Sequence, residues 1–340
     1  MNLSTRSVFL RWFCLGALST LYATVAWAGT AKPATVTPAL ALSVDEVQNA
    51  ALTAPLAPKS KGSAALRVQI LLDRAHFSPG EMDAVFGLNT TKAIRGFQRR
   101  NKLPASGVVD AATWAALNAD QGPVLISYTV TAADVAGPFL AIPTGLMEQA
   151  ALPALGYVSV AEAMGERFHI KPEVLQQLNA DKDLGKVDET LMVPNVLTPA
   201  PLATAAKIVV DKSDSTVSIL DEAGVTLAQF PASTGSRHDP LPLGQWKVNG
   251  VSREPKFSYN PKLFWDADAG HSKATIPPGP NNPVGRVWVD LSKPHYGIHG
   301  TPVPANIGRT ESHGCIRLTN WDAMTLAEAV RPGLPAVLQR

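Results

Sequence analysis

A lone cysteine stands close to two histidines near the C-terminal end of this 340-residue chain. His313 precedes Cys315 by two residues, and His299 precedes it by sixteen. A thiol acts as a nucleophile at neutral pH when a neighbouring group accepts its proton, and histidine is the side chain best suited to that role. The pattern therefore predicts nucleophilic catalysis at Cys315 with a histidine as the base.

The residues around these groups indicate how the chain could bring them together. Alternation along an extended strand would place His313 and Cys315 on one face. A β-hairpin or a broad turn after His299 would lay the two strand ends side by side. Gly300 and Gly314 each follow a histidine, where glycine permits a positive φ or the close approach of a substrate. We therefore expect the imidazole to make the sulfur anionic, so that it reacts quickly with thiol reagents even below the ordinary pKa of cysteine.

Zinc binding and a papain-like site are the alternatives for these residues. His299, His313 and Cys315 could ligate zinc, but a structural zinc site usually needs four ligands, and the sequence contains no C-x-x-C or H-E-x-x-H motif. In papain-like hydrolases the cysteine precedes the histidine, whereas here the expected base comes first. Both alternatives are disfavoured, and we expect neither a metal nor another cofactor.

The N-terminal 62 residues have the composition of a leader followed by a linker. A basic start, an apolar stretch over residues 12–25 and small residues before Gly29 are typical of a secretory signal over residues 1–28, and an uncleaved anchor is the alternative. We expect cleavage and export to the periplasm or cell envelope. Residues 29–62 are rich in Ala, Pro, Thr and Lys, which predicts a flexible linker. Cleavage would remove Cys14 and leave Cys315 as a lone exported thiol, which favours a reactive role.

Composition excludes several classes of protein. The formal charge of +2 comes from 30 basic and 28 acidic residues, so removal of the two leader arginines would leave a net charge of zero. That balance argues against a polycationic nucleic-acid binder. No apolar run reaches the roughly 20 residues of a membrane-spanning helix. A chain of this length with 46% hydrophobic residues is expected to form two or three globular units.

Residues 63–120 have apolar positions at helical spacing, separated by turn signals. They predict a small bundle of three helices, the last capped by Asp110 and packed through Trp114. The stretch VQILLDRAHFSPGEMDAVFGLNTTKAIRGFQRRNKLPASGVVDAATWAAL, residues 68–117, resembles the bacterial peptidoglycan-binding domain of three helices. Its turn glycines and its FQ and TW pairs fall in the order found in that family.

Residues 121–205 form a middle segment with a different pattern. YTV at 128–130, a helical stretch over 159–181 and LMVPN at 191–195 resemble a LysM module, an α+β unit in which a strand, two helices and a strand grip glycan. An insertion of roughly 28 residues follows Val130 and departs from that family.

From residue 206 to 340 the apolar spacing becomes strand-like. Val217–Ile219 alternates with polar neighbours, and the runs GQWKVNG and GRVWVDL are bounded by glycine and proline. Helical spacing returns only over residues 321–330, where Thr319 can cap the helix with Asp322 three residues on as its partner. The pattern predicts a mostly-β catalytic domain.

Residues 206–338 resemble the L,D-transpeptidases, cell-wall enzymes with the YkuD-type β fold. The signature of that family is a His-Gly pair, a loop, and then Ser/Thr-His-Gly-Cys followed by an apolar residue and Arg or Asn. The matching residues here are His299-Gly300 and Ser312-His313-Gly314-Cys315-Ile316-Arg317, with STG at 233–235, PLG at 242–244 and NPVG at 282–285 also in order.

The resemblance implies a role for each residue of the motif. Cys315 would be the nucleophile, His299 its base, and the Gly300 carbonyl the group that orients the imidazole. The remaining substrate-binding and oxyanion residues would be Ser312, His313, Gly314 and Arg317. Within that set, the backbone N–H groups of Gly314 and Cys315 would meet the oxyanion, and His313 and Arg317 would position the donor peptide.

The resemblance also implies the reaction. A thioester would form between the cysteine and a peptidoglycan tetrapeptide stem, with release of D-alanine, and the acyl group would pass to an amine of another stem or of a lipoprotein. Water as the acceptor would make the enzyme a carboxypeptidase, and a degenerate β domain would leave a non-catalytic peptidoglycan-binding protein. The implied partners are stem peptides, glycan and carbapenem-type inhibitors.

Overall fold

A computed structural model describes residues 42–197, 199 and 201–340. The predicted signal sequence and the first part of the predicted linker lie outside these residues. The helices are α1 Val44–Gln48, α2 Ser63–Arg74, α3 Leu88–Arg100, α4 Ala111–Leu117, α5 Leu146–Ala150, α6 Val160–Arg167, α7 Pro172–Leu178 and α8 Asn320–Ala329. The strands are β1 Leu125–Thr129, β2 Thr190–Pro194, β3 Lys207–Asp211, β4 Thr216–Leu220, β5 Thr226–Pro231, β6 Gly244–Arg253, β7 Phe257–Tyr259, β8 Ala274–Ile276, β9 Val287–Leu291, β10 Gly297–His299, β11 Ile316–Arg317 and β12 Pro335–Gln339.

The N-terminal part of the described chain is helical. Helices α2, α3 and α4 surround a core that includes Ile70, Ile94 and Trp114. As predicted, Asp110 caps α4, since its carboxylate accepts the backbone N–H of Thr113 at 2.8 Å. No helix in the described ranges has the length and apolar character needed to cross a membrane.

The later part of the predicted linker packs on this helical region, which corrects the expectation of a flexible segment there. Val47 of α1 is fully buried, the Trp114 indole N–H donates to the Ala54 carbonyl at 2.9 Å, and Leu56 and Val109 exchange backbone hydrogen bonds. The composition suggested a free tether, but its few apolar residues are placed where they can fill the helical core.

The middle segment combines one antiparallel strand pair with two short helices. β1 pairs with β2 over five residues of each strand, and α6 and α7 lie between them in sequence. Buried residues such as Phe168 and Leu175 belong to the same hydrophobic cluster as Leu72 of α2. The middle segment and the helical region therefore share one core.

The insertion, residues 131–158, is irregular apart from α5 and packs on the hairpin of β7 and β8. Leu155 forms a small apolar cluster with Tyr259 and Ile276. The Leu155 N–H donates to Pro278 O at 2.9 Å, and the Leu155 carbonyl accepts Asn281 N–H at 3.0 Å. The insertion thus supports the hairpin whose connecting loop, residues 260–273, is called the lid loop below.

The C-terminal region is mostly β and is built on one eight-stranded sheet. The strand order is β11-β10-β9-β6-β12-β3-β4-β5. The β10–β11 and β12–β3 pairs are parallel and the others are antiparallel. Helix α8 packs against this sheet through Leu326 and Ala323, and Thr319 caps it by accepting Asp322 N–H at 3.1 Å, as predicted.

Three regions meet around the first turn of α8. The Ser78 hydroxyl donates to Asp322 Oδ2 at 3.0 Å, and His169 of the middle segment lies 3.0 Å from Asp73 of α2. The His169 ring stacks on Trp321 with centroids 5.0 Å apart. The pKa of Asp322 is raised to about 7, first by burial and then by the negative charge of Asp73.

This raised pKa makes the stability of the fold pH-dependent. Because the folded pKa lies above the unfolded value, the contribution of Asp322 is complete below about pH 4 and is lost as pH rises to about 7. Asp322→Asn keeps an uncharged side chain of the same shape at every pH. We therefore expect this variant to reduce the loss of free energy of unfolding between pH 4 and pH 7 by up to about 4 kcal/mol. Urea unfolding at pH 4 to 7 measures this. The exposed Asp181→Asn serves as the control, and equal slopes in all three proteins would contradict the prediction.

Candidate active site

The predicted histidine ends β10, and the predicted cysteine directly precedes the neighbouring strand β11 at one edge of the sheet. β10 and β11 are parallel, with Ile298 opposite Ile316 and His299 opposite Arg317. Both isoleucines are fully buried in the core. The alternate residues His299, Cys315 and Arg317 therefore face the other way, and all three line a cavity of about 1060 Å³.

The two strands are joined by a broad crossover. Parallel strands need a crossover of a dozen or more residues, and residues 300–315 supply it, including a 3₁₀ turn at Pro304–Asn306. The prediction that the two ends lie side by side is confirmed, and of the two predicted connections the parallel pairing excludes the β-hairpin. The sequence spacing of sixteen residues fits either connection, so only the pairing distinguishes them.

His299 is held as a neutral base. It is 3% exposed, and its Nδ1 lies 2.7 Å from the Gly300 carbonyl oxygen. A carbonyl only accepts hydrogen bonds, so Nδ1 carries the proton and Nε2 keeps a free lone pair. The pKa of His299 is lowered to about 3, first by burial and then by the positive charge of Arg317, with the Gly300 carbonyl acting in the opposite direction.

Trp288 and Gly297 fix the position of the imidazole. The Trp288 ring stacks on His299 with centroids 5.4 Å apart and an interplanar angle of 16°. A Cβ at position 297 would come within 2.5 Å of the Trp288 ring, so only glycine leaves room for this stack. Gly297 was missed in the sequence, where its place two residues before His299 was the available signal.

Cys315 is half-buried, and its thiol donates to the His295 carbonyl at 3.7 Å. Burial raises its pKa, while the Gly297 backbone N–H and the Arg317 charge partly offset that effect. These directions favour the neutral thiol and the neutral imidazole over the resting thiolate that the sequence predicts.

The segment before Cys315 is a tight turn and not the predicted extended strand. Gly314 has φ +98°, and a Cβ there would lie 2.8 Å from the Tyr296 ring. Ser312 is buried, and its hydroxyl donates to the Cys315 carbonyl at 2.5 Å. This bond closes the turn, and the assignment of Ser312 to the substrate-binding set stays a prediction.

The turn leaves two backbone donors free. Within the described residues, the N–H groups of Gly314 and Cys315 donate to no backbone or side-chain acceptor. The Arg317 side chain faces the same cavity and forms no ion pair within the described ranges. The cavity therefore combines a thiol, an imidazole and one cation, and the two free N–H groups belong to Cys315 and the residue before it.

His313 is bound to the lid loop. Its Nε2 lies 3.0 Å from both carboxylate oxygens of Asp266, and the Phe264 ring meets its edge with centroids 5.3 Å apart. Trp265 stacks on His238 at a centroid distance of 4.4 Å. Asp266, which nothing in the sequence singled out, thus ties the lid loop to the residue that precedes the Gly314 turn.

The described residues contain no group of three or more His, Cys, Asp or Glu side chains placed to hold a metal ion. The His299 Nδ1 and His313 Nε2 atoms are engaged by Gly300 and Asp266.

In the C-terminal region a mostly-β sheet brings a thiol and an imidazole to one cavity. Residues 205–338 match the YkuD family, described as "L,D-transpeptidase catalytic domain". Residues 61–117 match the family described as "Putative peptidoglycan binding domain". The chain therefore combines a YkuD-type L,D-transpeptidase catalytic domain with an N-terminal peptidoglycan-binding domain.

Curated relatives carry the same family name. The chain is 26% identical over 174 residues to "Putative L,D-transpeptidase YkuD" of Bacillus subtilis (strain 168), covering 51% of this chain and 89% of that protein. It is 29% identical over 157 residues to "Probable L,D-transpeptidase YbiS" of Escherichia coli (strain K12), covering 45% of this chain and 50% of that protein.

Solved structures of L,D-transpeptidases also match. L,D-transpeptidase 3 from Mycobacterium tuberculosis, in complex with a faropenem-derived adduct, is 19% identical with a TM-score of 0.33, covering 45% of this chain and 75% of that chain. The L,D-transpeptidase from Mycobacterium smegmatis is 20% identical with a TM-score of 0.33, covering 46% and 75% of the two chains.

Proposed function

We propose that this protein is an exported cell-wall L,D-transpeptidase that uses Cys315 as its nucleophile and His299 as its base. The observation that carries this proposal is the orientation of the His299 imidazole. Its Nδ1–H donates to the Gly300 carbonyl, and its free Nε2 lies on the same face of the sheet as Cys315. This arrangement stands in a domain of the matching family.

The first half-reaction begins with a neutral pair. The Cys315 sulfur attacks the carbonyl carbon of the diamino acid in a tetrapeptide stem, and His299 Nε2 takes the thiol proton as the C–S bond forms. The bond to the terminal D-alanine then breaks, and the same proton passes to the leaving amine. A thioester remains on Cys315.

The second half-reaction returns the free enzyme. An amine of another stem, or of a lipoprotein, attacks the thioester carbonyl and loses a proton to His299. The C–S bond breaks, an amide forms, and the sulfur takes the proton back. No metal or nucleotide enters this sequence, because the thioester itself retains the acyl-transfer potential of the bond that was broken.

The remaining residues of the cavity have supporting roles in this proposal. The free N–H groups of Gly314 and Cys315 would donate to the oxyanion of each tetrahedral intermediate. Arg317, unpaired within the described ranges, would hold a carboxylate of the donor stem and stabilise charge on the sulfur during attack. His313, tied to Asp266, would position the donor through the lid loop.

Incubation of the purified protein with a tetrapeptide muropeptide tests the proposal. Cross-linked dimers with released D-alanine are the expected products by mass spectrometry. Tripeptide alone would indicate an L,D-carboxypeptidase. No change in the muropeptide would favour a non-catalytic peptidoglycan-binding protein.

The protonated thiol leads to a specific expectation for two reagents. Iodoacetamide reacts with the thiolate and gains nothing from a base or an oxyanion site, so at pH 7 it should alkylate Cys315 several-fold more slowly than free cysteine. A carbapenem places a strained lactam carbonyl where the base and the N–H donors act, so it should acylate the same protein readily. Intact-mass time courses with peptide mapping to Cys315 measure both rates. Fast alkylation by iodoacetamide at pH 6 would contradict the prediction.

The other regions extend the proposal. The helical domain would hold the enzyme on peptidoglycan, and the LysM-like strand, helix, helix and strand order of the middle segment would add contacts to glycan. The signal-like residues 1–28 would direct the protein to the periplasm or cell envelope. Detection of the protein in that compartment with an N-terminus near residue 29 would test this.

A further inference from the structure

A chain of buried polar groups connects the middle segment to the catalytic histidine. Glu166, at the end of α6, accepts the Tyr157 hydroxyl at Oε1, 2.9 Å away, and the Asn320 side-chain amide at Oε2, 2.8 Å away. Glu166 belongs to the middle segment, whereas Asn320 is the first residue of α8 in the catalytic domain. Each carboxylate oxygen therefore accepts one donor, and the bond from Asn320 crosses the boundary between these regions.

Asn320 stands directly against the residue that orients His299. It is 1% exposed, and its Oδ1 accepts the Arg286 N–H at 3.1 Å. A Cβ on Gly300 or on Gly285 would lie 2.1 Å from this oxygen. The Asn320 amide therefore occupies the space beside Gly300 and fixes the backbone there. The Gly300 carbonyl, in turn, accepts a hydrogen bond from the Nδ1–H of His299, with nitrogen and oxygen 2.7 Å apart.

The orientation of the Asn320 amide depends on acceptors outside its own helix. Its Nδ2 donates only to Glu166 and to the Pro280 carbonyl, at 3.1 Å, among the described residues. Without the carboxylate, one Nδ2 proton would lose its partner in a buried site, which favours rotation or displacement of the amide. Such a shift would move the Gly300 peptide and, with it, the lone pair of His299.

We propose that Glu166 is a positioning residue for catalysis, which orients the His299 base through Asn320 and the Gly300 peptide. This inference rests on the proposed roles of Cys315 and His299. It assigns to the middle segment a direct part in the geometry of the active site, in addition to any contact with the cell wall.

Carbapenem acylation of the full chain at pH 5 to 9 tests the inference. We expect Glu166→Ala to lower the second-order rate constant at pH 6 by about 10-fold or more, the usual scale for removing an outer-shell orienting group. The pH profile should also change. The wild-type rate should be nearly constant at pH 5 to 8, whereas the variant rate should rise with pH because attack then depends on ionisation of the thiol.

Two further variants separate positioning from loosening of the interface. Glu166→Gln keeps an oxygen acceptor for Asn320 and should remain within about threefold of the wild type, by the same outer-shell reasoning. Glu162→Ala, one turn earlier on α6, removes another contact across the same boundary, to Asn281 Nδ2 at 3.0 Å, but leaves Asn320 untouched. It should keep the wild-type pH profile. Should Glu166→Ala not fold, Glu166→Met keeps the volume of the side chain without an acceptor and should show the same change in profile. Tyr157→Phe removes one donor to the carboxylate but leaves the acceptor for Asn320 in place, so it should keep the wild-type profile.

The outcomes distinguish this inference from the proposed function. A wild-type protein that is not acylated at Cys315 would refute the proposed function. An acylated wild type with a Glu166→Ala profile equal to that of Glu162→Ala would overturn the positioning role alone. A Glu166→Gln variant as slow as Glu166→Ala would overturn it as well, because the argument requires only an acceptor for the Asn320 amide.

Discussion

Replacement of Cys315 by alanine should abolish both the carbapenem adduct and the turnover of tetrapeptide stems. Among residues 42–340, this is the only cysteine, so no other described thiol can carry the thioester. The loss should be complete to the detection limit, because the base and the N–H donors cannot form an acyl intermediate without the sulfur. Intact mass with peptide mapping measures the adduct, and product analysis by mass spectrometry measures the turnover.

The matched control for this variant is Cys315→Ser. It keeps a hydrogen-bond donor to the His295 carbonyl and nearly the same volume, so the turn closed by Ser312 should be retained. At neutral pH a hydroxyl is a far weaker nucleophile than a thiol, so the acylation rate of Cys315→Ser should remain low. Its melting temperature should stay close to that of the wild type. Stem turnover by Cys315→Ala would rule out the proposed mechanism.

Replacement of His299 by glutamine should lower the rate of Cys315 acylation by about 10²- to 10⁴-fold, the range typical for loss of a general base. The wild-type rate should persist on acidification, since the pKa of His299 is about 3 and the imidazole stays neutral well below the ordinary histidine value. Burial disfavours the imidazolium cation, which lowers the pKa of His299 and keeps the base neutral in acid.

The pH–rate profile of acylation, measured from pH 4 to 9 for the wild type and His299→Gln, checks this prediction. His238→Gln is the control, because His238 stacks on the exposed Trp265 and makes no contact with the sulfur. An acid limb in the wild type with a midpoint near 6.5 would contradict the buried neutral base. A His299→Gln variant with the wild-type rate would remove the base from the mechanism.

The motif residues differ in how far the sequence predicted their positions. His299 and Cys315 were placed side by side correctly, because a nucleophile and a base of the right types occurred at a spacing that a crossover or a hairpin can bridge. The link between them was left open as a hairpin or a broad turn, since the sequence holds no signal for the direction of a two-residue strand. The assignment of Ser312 to the substrate-binding set stays a prediction, and its hydroxyl forms a hydrogen bond within the turn.

The charge state of the pair could not be predicted from residue types. Histidine next to cysteine suggested an ion pair, but burial of both groups disfavours charge on either one. Desolvation depends on how many atoms surround a group, and those atoms come from β9, β10 and the lid loop. No local pattern around Cys315 contains that information.

By itself, the sequence determined the reactive groups, the helical and β regions, and the caps at Asp110 and Thr319, because each depends on residue type and short-range spacing. The tertiary structure alone decided the partners that lie far apart in the chain. Asp266 beside His313, Trp288 over His299 and Glu166 bonded to Asn320 all result from packing between distant segments. Such contacts follow from the pairing of whole strands and helices, whose free energy is spread over many residues and leaves no signature at the positions that meet.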